Sequence, residues 1–145
     1  MPELFNFSIK EDVTQINVYK MPAETCFLTL LFSRFFDENI ETDMISRPLT
    51  HTFDTHLSFT IKDDDLKKAV KILTELKKDF KQLKFSICAG NSIITVEVEN
   101  NKKSDTVAKI LDKFCSLNIE ILLISTGEKD IRLLISSSSP LLQMN

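Results

Sequence analysis

The chain has 145 residues, 43% of them hydrophobic and 27% charged, with a net charge of −3. That length suits one domain or two small ones sharing an interface. The acidic balance, with no basic stripe, excludes a protein built to neutralise nucleic-acid phosphates. No apolar run approaches the ~20 residues that span a bilayer, and the start Met1-Pro2-Glu3-Leu4-Phe5-Asn6 is no signal peptide, so no membrane association and a cytoplasmic location are expected.

The cysteines Cys26, Cys88 and Cys115 lack CxxC spacing and read as reduced thiols, small apolar residues in or near the core. Glycine is scarce: Gly90 and Gly127 stand where an average frequency would give about 10. A glycine-rich phosphate cradle is therefore not expected.

In chain order, Leu4 to Ile9 predicts a short strand, and Ile16 to Lys20 a second that alternates more cleanly. Met21 to Thr25 breaks it, with Thr25 in position to cap a helix. From Cys26 to Glu38, Phe27, Leu28, Leu31, Phe32, Phe35 and Phe36 follow helical spacing. A strand from Ile40 to Ser46 follows and ends at Arg47-Pro48. Leu49 to Asp54 reads as a loop, and His56 to Ile61 as a strand with Leu57, Phe59 and Ile61 on one face. Asp63-Asp64-Asp65 puts carboxylates where a helix N-terminus favours them. Leu66, Ala69, Val70, Leu73 and Leu76 form the buried face of that helix, which runs to about Asp79. Leu83 to Ile87 closes a β-α-β-β-α-β series.

A second series opens at Ile93 to Val98. A polar loop, Glu99 to Lys103, leads to Ser104 as helix cap, and Val107, Ile110, Leu111 and Phe114 form an apolar face. Strands follow at Ile119 to Ser125 and Ile131 to Ser136, with a turn from Gly127 to Asp130. The tail, 137–145, is too short and interrupted for the helix that would complete the series. The fold expected is α+β: two ferredoxin-like units, antiparallel sheets with helices on one face, the second lacking its last helix.

The two series share a duplicated octet. Asn39-Ile40-Glu41-Thr42-Asp43-Met44-Ile45-Ser46 returns 79 positions later as Asn118-Ile119-Glu120-Ile121-Leu122-Leu123-Ile124-Ser125, with five of eight residues identical. Phe35 and Phe114 occupy the same place in the preceding helices. The chain is thus two copies of one small module.

No nucleophile elbow, P-loop, zinc spacing or Ser/His/Asp set is present, so no catalysis is expected within the chain. His51, Asp54 and His56 do not make the three or four convergent ligands that a metal needs, and neither metal nor cofactor is expected. The lysines at 67, 68, 71, 77, 78 and 81 read as a solvated helix face rather than a phosphate site. Phe27, Phe32, Phe35 and Phe36 are too many for one inward face. An exposed share would mark a contact with another unit or a dimer partner.

Ile40 to Ser46 resembles the I-N-V-D-M-I strand of ACT domains in aspartokinases. Ile119 to Thr126, followed by Glu128, resembles the second-repeat signature I-N-I-x-M-I-S-T-S-E. Phe59-Thr60, an acidic turn, then Leu66, Ala69 and Leu73 resembles the F-T-V-x-E-D-L-x-x-A-x-x-x-L segment between them. The resemblance, which covers roughly Leu4 to Ser136, implies the tandem ACT regulatory region that follows the kinase domain, or stands alone as a regulatory subunit. The initial Met lies where such a subunit would begin. It implies a first unit at 16–87 inserted in a second made of 4–9 plus 92–136, a homodimer, a kinase catalytic partner, and an amino-acid effector of lysine or threonine type.

By that resemblance the effector site draws on Met21, Pro22, Ala23, Thr25, Cys26, Ile40, Glu41, Asp43, Ile119 and Glu120. Asp43 matches the family residue that can face an effector amine. The chain departs from the family's D-x-P-G turn. The Asp is Ala23, the Pro is Thr25 and the Gly is Cys26; in the second copy Pro-Gly becomes Ser104-Asp105. The family's Asn is Glu41 and Glu120. Two alternatives stay open: a degenerate ACT module that serves as a dimerisation or interaction element without effector, and an unrelated ferredoxin-like protein.

Overall fold

Two long strands organise the chain, each running through a stretch that the sequence pattern divides into separate elements. In the computed structural model, which describes residues 6–22, 25–47, 56–99 and 103–137, β1 spans Phe7–Tyr19 and β4 spans Lys84–Glu97. Between and after them come α1 (Thr25–Asp37), β2 (Ile45–Ser46), β3 (His56–Lys62), α2 (Leu66–Asp79), α3 (Lys103–Ser116), β5 (Leu123–Thr126) and β6 (Asp130–Ser136). The polar run Lys10-Glu11-Asp12 hides the continuity of β1. Asp12 takes a left-handed conformation (φ 59) in mid-strand, and Gly90 does the same in β4 (φ 74). Asp tolerates that region better than most side chains, and glycine pays nothing for it.

The chain divides at those two residues. One unit is Val13–Ala89; the other gathers the described residues of Met1–Asp12 and Gly90–Asn145. In the first unit the strand order is β2-β3-β1-β4, and both β1 and β2 pair antiparallel with β3. Its register places Ile16 opposite Phe59 and Val18 opposite Leu57. Successive strand residues point to opposite faces, so these pairs share one face. They are fully buried in a single core with Phe27, Leu31 and Phe35 from α1 and Ala69, Ile72, Leu73 and Leu76 from α2. Phe59 anchors that core, with edge-on contacts to Phe32 and Phe35 at centroid distances of 5.4 Å each. Arg34 on α1 forms an ion pair with Glu75 on α2.

The second unit repeats the plan with the order β1-β4-β6-β5. Ile94 faces Leu133 and Val96 faces Ile131 across the β4–β6 ladder. Ile110 and Phe114 of α3 pack on them, joined by Ile135 and the partly buried Phe7 and Ile9.

Several expectations are corrected. The strands in the repeated octets are shorter than expected, Ile45–Ser46 and Leu123–Thr126, because the first two residues of each octet close the preceding helix. Ser104 lies one residue inside α3, which begins at Lys103, rather than capping it. The acidic triplet Asp63–Asp65 forms a 3-10 turn ahead of α2. On α2, Val70 is 36% exposed and Ile72 takes its place inside at 3%. All three cysteines are exposed rather than in or near the core. Of the four phenylalanines of α1, Phe27 and Phe35 are buried and Phe36 is 79% exposed. The loop expected at Leu49 to Asp54, the strand start at Leu4 and Phe5, and the helix-free tail from Ser138 onward lie outside the described residues.

Candidate functional site

The end of β1 and the turn into α1 carry the densest group of expected site residues. Lys20, directly after the strand, has φ 54, a conformation uncommon for a residue with a side chain. It turns the backbone so that Met21 enters the core at 4% exposure, while Pro22 stays half-buried. Opposite lies the turn between α2 and β4. There the Phe80 N–H donates to the Leu76 carbonyl at 2.9 Å and the Leu83 N–H to the Phe80 carbonyl at 3.0 Å. Phe80 is fixed edge-on against Phe27 at 5.0 Å. The two turns enclose a cleft of about 530 Å³, with Met21, Pro22, Phe80 and Leu83 as its apolar lining and Lys20 and Lys81 among its polar groups. Apolar walls with a few convergent polar groups are what small-molecule sites use.

The other expected residues are placed as follows. Ala23 lies outside the described residues, Thr25 opens α1, and Cys26 is exposed on it. Ile40 is 4% exposed, in the same core as Met21. Glu41 and Asp43 are exposed. The Asp43 N–H donates to the Thr60 carbonyl at 3.0 Å, which locks the backbone where the β2–β3 ladder begins. The Met44 N–H reaches the Thr60 hydroxyl at 3.0 Å and completes that anchor. Ile119, half-buried, and Glu120, exposed, belong to the other unit.

A polar constellation escaped the sequence reading. On the β1–β3 face opposite the helices, Asn17 pairs with Ser58 and Tyr19 with His56. The Tyr19 and His56 rings stack at 4.8 Å and 6°. The Ser58 hydroxyl donates to Asn17 Oδ1, which also lies 3.3 Å from His56 Nε2. The Ser58 hydroxyl lies 3.1 Å from the same Nε2, which closes a three-way polar contact. The alternation Gln15, Asn17, Tyr19 against His56, Ser58, Thr60 is the signal in the sequence for this polar face. Thus His56, considered above for a metal, is held by the sheet's own polar side chains.

The fold is α+β, built of ferredoxin-like units with helices against one sheet face. Within that class it is the fold of aspartokinase regulatory subunits and regulatory domains. No protein-family model matches the chain. In sequence the chain is similar to an aspartokinase of Bacillus sp. (strain MGA3), 23% identical over 132 residues, which cover 90% of this chain and 32% of that protein. The chain therefore spans about a third of the length of the relative it matches. In structure it is similar to the ligand-free regulatory subunit of aspartate kinase from Thermus thermophilus, at TM-score 0.79 and 18% identity, over 91% of this chain and 87% of that one. It is also similar to a chain of the aspartokinase alpha and beta subunits, at TM-score 0.81 and 24% identity, over 94% and 90%. E. coli aspartokinase III, in complex with lysine and aspartate, matches at TM-score 0.65 and 16% identity, over 93% of this chain and 30% of that one.

Proposed function

We propose that this chain is a regulatory, amino-acid-sensing tandem ACT region of an aspartokinase, or a stand-alone homologue of it, acting by binding rather than catalysis. The observation that carries the reading is the mutual coverage with the Thermus thermophilus regulatory subunit, 91% of one chain and 87% of the other. What is shared is nearly the whole of a regulatory protein. In this reading the first ACT unit is inserted into the second, the protein is a cytoplasmic homodimer, and its partner is an aspartokinase catalytic subunit.

The effector is a small amino acid of lysine or threonine type. E. coli aspartokinase III, complexed with lysine and aspartate, supports that class. Met21, Pro22 and the start of α1 supply its contacts on one copy of the chain. Asp43 lies beside Thr60, which pairs with Gln15, six residues back along the chain from Met21, and supplies the carboxylate for the effector's amine from the other copy of the homodimer. Binding controls the kinase by differential affinity for two arrangements of the regulatory units, the requirement for any allosteric coupling. Calorimetric titration with each of the twenty amino acids tests the reading. Saturable heat with lysine or threonine, weakened by Asp43→Asn, is expected; no heat with any of them overturns it.

A further inference from the structure

A second recognition chemistry lies beside the expected effector residues. Against the 530 Å³ cleft, and sharing Lys20, Lys81, Gln82 and Leu83 with it, is a second depression of about 390 Å³. Lys20, Lys77, Lys81 and Lys84 all line this one, and no carboxylate lines either cleft among the described residues. Lys20, common to both, is the residue held at φ 54. A turn needing only that conformation is ordinarily filled by Gly or Asn, and a strained side-chain-bearing residue points to use of the side chain. Four exposed lysines around one depression concentrate positive charge that an anion seated there would offset.

We propose that this paired cleft binds an organic phosphate, its head of two or more negative charges on the four lysines and its apolar or aromatic body on Pro22 and Phe80, above the buried Met21 and Leu83. A monocarboxylate leaves most of the positive charge unmatched, and inorganic phosphate leaves the apolar half empty. Lys77 on α2 and Lys81 in the turn after it thereby serve as ligands, whereas Lys67 at the start of α2 lies outside both linings.

The test uses the full chain and ADP as probe, with pyrophosphate and adenosine as its two halves. ADP is expected to bind saturably and more tightly than either half, with amide shifts at Gln82 and Leu83. Binding should weaken toward an ionic strength of about 1 M, where the screening length is about 3 Å. The double variant K77E/K81E should lose on the order of tenfold in affinity, and K67E, with the like charge change elsewhere, should lose less than about twofold. Absence of ADP binding, pyrophosphate binding as tightly as ADP, or an equal loss in K67E overturns the proposal. If the double variant fails to fold, the wild-type shift map decides: shifts that avoid Gln82 and Leu83 overturn it. Lysine and threonine titrated separately report on the effector reading, so failure of either leaves the other standing.

Discussion

Asn39 and Asn118, the first residues of the duplicated octets, hold the same left-handed conformation, with φ of 59 and 56. Each closes its helix with the same pair of bonds. The Asn39 N–H donates to the Phe36 carbonyl at 3.0 Å and the Ile40 N–H to Phe35 at 2.9 Å. The Asn118 N–H donates to Cys115 at 3.1 Å and the Ile119 N–H to Phe114 at 2.9 Å. This is a Schellman closure, with a left-handed residue followed by an apolar one that packs back onto the last helical turn. Ile40 shares a core with Phe35, and Ile119 shares one with Phe114. The repeat thus preserves a helix stop at both places.

Alanine at either asparagine should destabilise the chain by up to about 1 kcal/mol, because it keeps the Cβ but loses the short polar side chain that lets asparagine tolerate the left-handed region. Glycine should be neutral or slightly stabilising at both. Urea denaturation of N39A, N39G, N118A and N118G checks this; equal behaviour of alanine and glycine would contradict the assignment.

Phe59→Ala should cost about 3–5 kcal/mol, because it empties the centre of the core and removes two edge-on ring contacts. Phe36→Ser should change monomer stability by no more than about 0.5 kcal/mol, since the ring is 79% exposed. If Phe36 covers the partner in the proposed homodimer, the serine variant should also shift sedimentation toward monomer.

The thiols of Cys26, Cys88 and Cys115 are all exposed. A water-soluble disulfide reagent should therefore titrate all three in the native protein without denaturant. Fewer than three rapid equivalents would contradict this exposure.

The ion pair between Arg34 and Glu75 joins α1 to α2, with side chains 37% and 40% exposed. Screening by water and salt limits such pairs. A double-mutant cycle with R34A and E75A should give a coupling of about 0.2–1 kcal/mol, and less in high salt. A coupling of several kcal/mol would show that the pair is far less solvated than its exposure indicates.

Much of the architecture was legible because its signals are local. Helical spacing marked Leu31 and Phe35, period two marked Leu57, Phe59 and Ile61, and the octet marked the duplication. What was missed depends on non-local partners. Strands β1 and β4 read as broken because a left-handed residue at Asp12 or Gly90 interrupts the alternation while the strand continues. Val70 and Ile72 lie two positions apart on one helix, and which of them turns inward depends on the sheet beneath. The cysteines were placed from the general tendency of thiols to be buried, a prior with no information about these helices and strands. At the site, Met21 and Pro22 could be picked out because a strand stops there. The facing turn of Phe80 to Leu83, some sixty residues away in the chain, carried no sign of meeting them.

Amide chemical shifts recorded while lysine or threonine is titrated into the labelled full chain test the central claim most directly. Saturable shifts centred on Met21, Cys26, Ile40 and Asp43, suppressed in Asp43→Asn, are expected. No shift with either, or shifts confined to α3 and β6, would contradict it.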